Sequence, residues 1–274
     1  MNVSLPSESG MRRTVPKLLA GAILGAVIAT GACARAVDNV IAGAISADAD
    51  EVAARHGAEP MAGDPQTLMT RRRRTVTGDL PRAQRLADQV RGSIAVYRDV
   101  DIAVADGYRS FPPEPGPAER IIHYVHQRRS QREEKRINPA EPGALLYERV
   151  KGGELRLVGA MFTAPVSAPL EELDARAPLS VTNWHLHQNI CIPKPVWSKD
   201  QWARTLPGRA PVFGPGSPIA TEAACREVGG RFLPTVFGWM VHVFVFAPDE
   251  RDLWNAMYGH APRPSAKVEQ HHRH

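Results

Sequence analysis

Motifs that would assign a chemistry outright are missing from this sequence. It has no Gly-x-Ser-x-Gly elbow, phosphate-binding loop or dinucleotide fingerprint, so triad-hydrolase, nucleotide and Rossmann readings lack support. Cysteine is scarce: three in 274 residues allow one bridge at most. Long apolar runs are also absent. The longest, Leu18 to Ala29, is about 12 residues, short of the roughly 20 that a membrane span needs. The one dense basic patch, Arg71-Arg-Arg-Arg74, has no interleaved aromatics of the kind a nucleic-acid strand stacks on. With a formal net charge of only +5, that argues against nucleic acid as a partner and reads as a solvated linker.

What is present begins with an export signal. Arg12, Arg13 and Lys17 precede the short apolar run, and small residues follow through Ala36. Cleavage sites of the small-x-small type stand at Ala32-Cys-Ala34 and Ala34-Arg-Ala36. The pair Arg12-Arg13 also resembles a twin-arginine signal. Thr30-Gly-Ala-Cys33 offers an alternative, lipoprotein-type processing with Cys33 as a lipid anchor, against which Thr30 stands where Leu is usual. A cleavable signal over residues 1–36 places the mature chain in the periplasm or cell envelope, with no transmembrane span.

Cleavage leaves two cysteines, Cys191 and Cys225, and in an oxidising compartment two remaining cysteines usually pair. The competing use of Cys191 is as a thiolate in a copper site with Met240 as a weak axial ligand, although copper loops place Cys and His closer in sequence.

Residues 37–78 show no sustained periodicity; apart from one short helix near Ile45–His56, they read as a flexible tether. Asp79-Leu-Pro81 then opens a helix. Leu86, Val90, Ile94, Tyr97, Val100 and Val104 follow at spacings of four and three, an amphipathic stripe. The 24 prolines and 22 glycines predict a loop-rich body. Strands are expected at 121–126, at 145–150 and 154–162 around the turn Lys151-Gly-Gly153, at 184–191 and at 239–246. A short helix carrying Cys225 should lie between Ser217 and Gly229. One helix followed by strands without βαβ alternation points to an α+β fold, a long amphipathic helix on a largely antiparallel sheet. One globular domain over 79–258 and a flexible His-rich tail over 259–274 complete the organisation.

Trp184-His-Leu-His-Gln-Asn-Ile-Cys191 concentrates the chemistry. On a strand, His185 and His187 leave the same face. His242, in Gly238-Trp-Met-Val-His242, is a third imidazole on a strand. Together they form a His-x-His plus His set suited to zinc or copper. His123 and His126 are three apart, so at most one can join, and His123 is chosen because Tyr124 then points away. His56 falls in the presumed tether and His260 and His271 near the terminus; none is assigned a role. Glu148 is the nearest carboxylate by motif that could serve as a base.

Ala105-Asp-Gly-Tyr108, His123-Tyr124, Pro142-Gly-Ala-Leu-Leu-Tyr-Glu148, Leu157-Val-Gly159, Trp184-His-Leu-His187 and Gly238-Trp-Met-Val-His242 together resemble a family of uncharacterised exported bacterial proteins. The resemblance covers roughly residues 95–250; it supports the fold boundaries and brings no activity with it. The residues therefore leave three readings: an exported metal-binding domain, with or without catalysis; a structural or interaction module of the envelope with buried histidines; and an enzyme that uses the histidines without a metal.

Overall fold

The computed structural model describes residues 48–259 apart from 114, 117, 118 and 257. The expected export signal, Cys33 and the His-rich tail from residue 260 lie outside the described residues. Elements in chain order are α1 (Ala49–His56), β1 (Glu59–Met61), β2 (Asp64–Met69), α2 (Asp79–Ile94), α3 (Val100–Ala105), β3 (Arg109–Phe111), β4 (Ile121–Val125), α4 (Gln127–Glu133), β5 (Ala144–Arg149), β6 (Leu155–Ala164), α5 (Leu170–Arg176), β7 (His185–Ile192), α6 (Lys199–Trp202), α7 (Glu222–Glu227) and β8 (Arg231–Val243). The strands form one sheet in the order β1-β2-β7-β8-β6-β5-β4-β3, with each neighbouring pair antiparallel. The α+β expectation holds. No helix among the described residues is long and apolar enough to cross a membrane.

Alternation along the strands separates two apolar layers. One face carries Leu145, Tyr147, Phe162, Trp184, Leu186, Trp239 and Val241, and α2 covers it with Leu86, Val90 and Ile94. Each of these aliphatic side chains contributes about 1.5–3 kcal/mol when fully buried. The opposite face carries Leu146, Met161, Met240 and Phe244, packed with Ile121 and Tyr258. A third cluster lies around the 190s, with Ile190, Trp202, Phe213 and Leu233 beside the Cys191–Cys225 disulfide. That bond links β7 to α7 with an S–S length of 2.04 Å and Cα atoms 5.5 Å apart. Its formation removes Cys191 from any ligand set, so the copper–thiolate alternative falls.

Three expectations need correction. Residues 48–78 are not a tether: β2 pairs with β7 inside the sheet, Thr67 opposite His187 and Met69 opposite His185. Val52 and Leu68 belong to the helix-side core. His56 is buried, its Nδ1 2.8 Å from the Val52 carbonyl and its Nε2 2.7 Å from that of Ala168. The long amphipathic stripe is broken. α2 ends at Ile94 and runs through a 3-10 turn (Ala95–Arg98), and Asp99 then restarts the chain as α3 by accepting the Asp101 N–H at 2.9 Å. An aspartate that caps a new helix competes with continuation of the old one, and Val104 is left exposed.

The third correction falls on Arg73 of the basic run, whose other arginines are exposed as expected. The half-buried Arg73 guanidinium forks onto Asp79 at 2.6 and 2.9 Å and onto Asp174 at 2.8 Å on both oxygens. This clamps the start of α2 to α5. Hydrogen bonds from Arg73 and from the Val76 N–H hold the Asp79 carboxyl well below the usual carboxylate range. A depressed folded-state pKa gives stability that is present above the unfolded value near ~3.9 and is lost as pH falls below it. The melting temperature should therefore drop as pH falls from about 4 towards 2, and Asp79→Asn should make that drop shallower. Equal slopes in thermal denaturation of the two proteins would contradict the assignment.

Candidate functional site

The sheet curls around the face opposite α2. Phe111 of edge strand β3 packs edge-on against Phe237 of β8, four strands along the sheet, with ring centroids 5.2 Å apart. β8 makes room through an irregularity. Pairing with β7 jumps from His187↔Val236 to His185↔Met240, so β8 carries two extra residues there. Phe237 and Gly238 both have positive φ, 61° and 89°. A Cβ on Gly238 would lie 2.3 Å from the Ala164 carbonyl oxygen, so only glycine fits. Such bulges bend a strand and re-aim its side chains.

On the curled face four histidines from three strands meet. His185 and His187 come from β7, His242 from β8 and His123 from β4. Ring centroids are 4.6 Å apart for His185–His242, 5.7 Å for His185–His187 and 5.4 Å for His123–His242. His123 Nε2 lies 3.4 Å from His242 Nε2. Their strands are three steps apart, which in a flat sheet is about 14 Å, so the contact depends on the curl. His185 and His242 are 4% and 3% exposed; His123 and His187 are half-buried and form the solvent side of the group. His126 does not take part. It starts α4, accepting from the Arg129 N–H, and packs edge-on against Tyr108 at 5.3 Å.

A hydroxyl and a carboxylate stand behind His187. Thr67 Oγ1 donates to Asp64 Oδ2 at 3.0 Å and lies 3.0 Å from His187 Nδ1. With its single proton given to Asp64, the hydroxyl oxygen accepts from Nδ1–H. That fixes the tautomer with Nε2 as the basic nitrogen, an arrangement common behind metal-bound imidazoles. Both residues escaped the sequence reading because they lie in the presumed tether. The alternation of Asp64, Gln66, Leu68 against Pro65, Thr67, Met69 is too brief and too proline-marked to stand out.

Glu148 is not available as a base. It is buried between Arg120 and Arg156 and pairs with both. Burial pushes its pKa up, but hydrogen bonds from the two guanidiniums outweigh burial and hold the carboxyl below its usual range. A different carboxyl, Glu133 of α4, reaches the sheet row that contains His185. It accepts from the Thr163 N–H at 2.9 Å and the Thr163 hydroxyl at 3.0 Å, and Thr163 is opposite Met240. Burial pushes Glu133 up to about 8, against those hydrogen bonds. Its visible role is to satisfy N–H groups of β6 and of Gly143 where β5 begins.

Among the described residues, no group of three or more His, Cys, Asp or Glu side chains is arranged to hold a metal ion. The four imidazoles are neighbours in one cluster. Fold and site define an α+β protein with a histidine cluster on a curled antiparallel sheet. Comparison with protein-family models, curated proteins and solved structures finds no match.

Proposed function

We propose that this chain is an exported metal-binding domain in which His185, His187 and His242, with His123 as a fourth group, hold a zinc or copper ion. One observation carries the reading: the 3.4 Å between His123 Nε2 and His242 Nε2. Two nitrogens bound to zinc at 2.0–2.1 Å in a tetrahedron are about 3.3–3.4 Å apart, so this pair spans one edge of such a site. The Asp64–Thr67–His187 chain supports it, because it presents His187 through Nε2. Export is supported by the signal-like N-terminus and by the disulfide, which persists in oxidising compartments.

A bound zinc ion with an open position would supply a water of pKa near ~7 and a Lewis acid. The chain's own residues orient the imidazoles, and the apolar walls of Leu146, Met161 and Phe244 limit water around them.

Thr67→Val separates this reading from that of an envelope module with buried histidines. Valine keeps the shape and removes the hydroxyl behind His187. Competition with a chromophoric chelator should show zinc or copper affinity falling by about 10- to 100-fold. Unchanged affinity in a folded variant would remove Asp64 and Thr67 from the site. Absence of binding in the wild-type protein would favour the envelope module.

A further inference from the structure

The donors around the histidines are not all nitrogens. Met69 of β2 and Met240 of β8 are the cross-strand partners of His185, one on each side. Met161 of β6 is the cross-strand partner of His242. Three of the seven methionines in the chain thus border this one cluster. Directly opposed residues in an antiparallel pair have Cβ atoms about 4.5–5.5 Å apart and share a face, so these methionines leave the sheet next to the imidazoles. Met240 is central: it is opposite His185 and two residues before His242 on the same face. It is also buried, whereas Met69 is half-buried.

Thioether sulfur is a soft donor that selects copper(I) and adds little to zinc. We propose that the cluster is a copper(I) site in which the Met240 thioether, with Met69 beside it, joins His185 and His242. This rests on the metal-binding reading above and narrows its choice of ion. Binding needs no change of oxidation state, only delivery of copper already reduced. The disulfide consumes both cysteines of the described residues, so methionine is the only sulfur ligand among them that this face offers. Methionine is also a common core filler, so the test must preserve packing.

Met240→Leu does so, since the exchange is close to volume-conserving. The full-length oxidised protein would be titrated anaerobically with copper(I) against a chromophoric chelator, and separately with zinc. The inference expects Met240→Leu to weaken copper(I) binding by more than about 10-fold and to leave zinc affinity unchanged. X-ray absorption at the copper edge should show a sulfur neighbour in the wild type, replaced by selenium in selenomethionine-labelled protein. That second readout decides the matter even if the leucine variant fails to fold. Nitrogen-only coordination, or copper(I) affinity indifferent to the substitution, overturns the inference and leaves the metal site standing. A wild-type protein that binds neither zinc nor copper overturns both.

Discussion

Replacing His242 by alanine is expected to lower metal affinity by about 100-fold or more, beyond the 10- to 100-fold that loss of a mere supporting group costs. His242 is the hub of the cluster. Its ring is within packing distance of both His185 of β7 and His123 of β4, at 4.6 and 5.4 Å, so it joins the two sides of the cluster. Because His242 is buried, the substitution also leaves a small cavity, so metal-free stability should fall modestly. Equilibrium titration measures the first effect and thermal denaturation without metal the second. His126→Ala is the control. It removes an imidazole three residues from His123 but outside the cluster, and it should leave metal affinity unchanged. A His242→Ala protein that binds metal like the wild type would contradict the site as drawn.

Replacing both Cys191 and Cys225 by alanine should destabilise the fold by about 3–4 kcal/mol. This follows from the entropy of closing a loop with a sequence separation of 34 residues. Packing adds to it: a Cβ on Gly230 would lie 2.4 Å from Cys191 Sγ, so the chain is moulded around the bond. The bond also holds α7 against β7, the strand that carries His185 and His187. Loss of the bridge should therefore loosen the metal site as well as shift the denaturation midpoint. Denaturant unfolding of the double variant, compared with the oxidised wild type under non-reducing conditions, measures it. A loss below about 1 kcal/mol would show that the third apolar cluster is self-sufficient.

Much of this was legible because short periods are reliable. The two-residue period of a strand placed His185 and His187 on one face and separated His123 from His126. The β5–β6 hairpin announced itself by Lys151-Gly-Gly153, and the disulfide followed from the two cysteines that the expected cleavage would leave. Non-local geometry was not legible. β2 pairs locally with β1 but joins the sheet through a partner more than a hundred residues away, Thr67 with His187, and its short run offers no clear signal. The break at Asp99 is hidden because the apolar spacing runs through it while the backbone does not. Nor does sequence reveal the curl that brings β4 to β8, which depends on the positive φ angles at Phe237 and Gly238. Glu148 read as a base because its two arginine partners, at positions 120 and 156, are close only once β4, β5 and β6 pair.

The most direct test of the central claim is the metal content of the purified, oxidised protein with the histidines of residues 260–274 changed to asparagine. Elemental analysis after equilibration with zinc and, separately, with copper should find about one equivalent per chain, the stoichiometry of a single closed site. The same measurement on the His185→Ala/His187→Ala/His242→Ala protein should find almost none. A folded, disulfide-bonded protein that retains no metal under either condition, or equal metal in both proteins, would contradict the account.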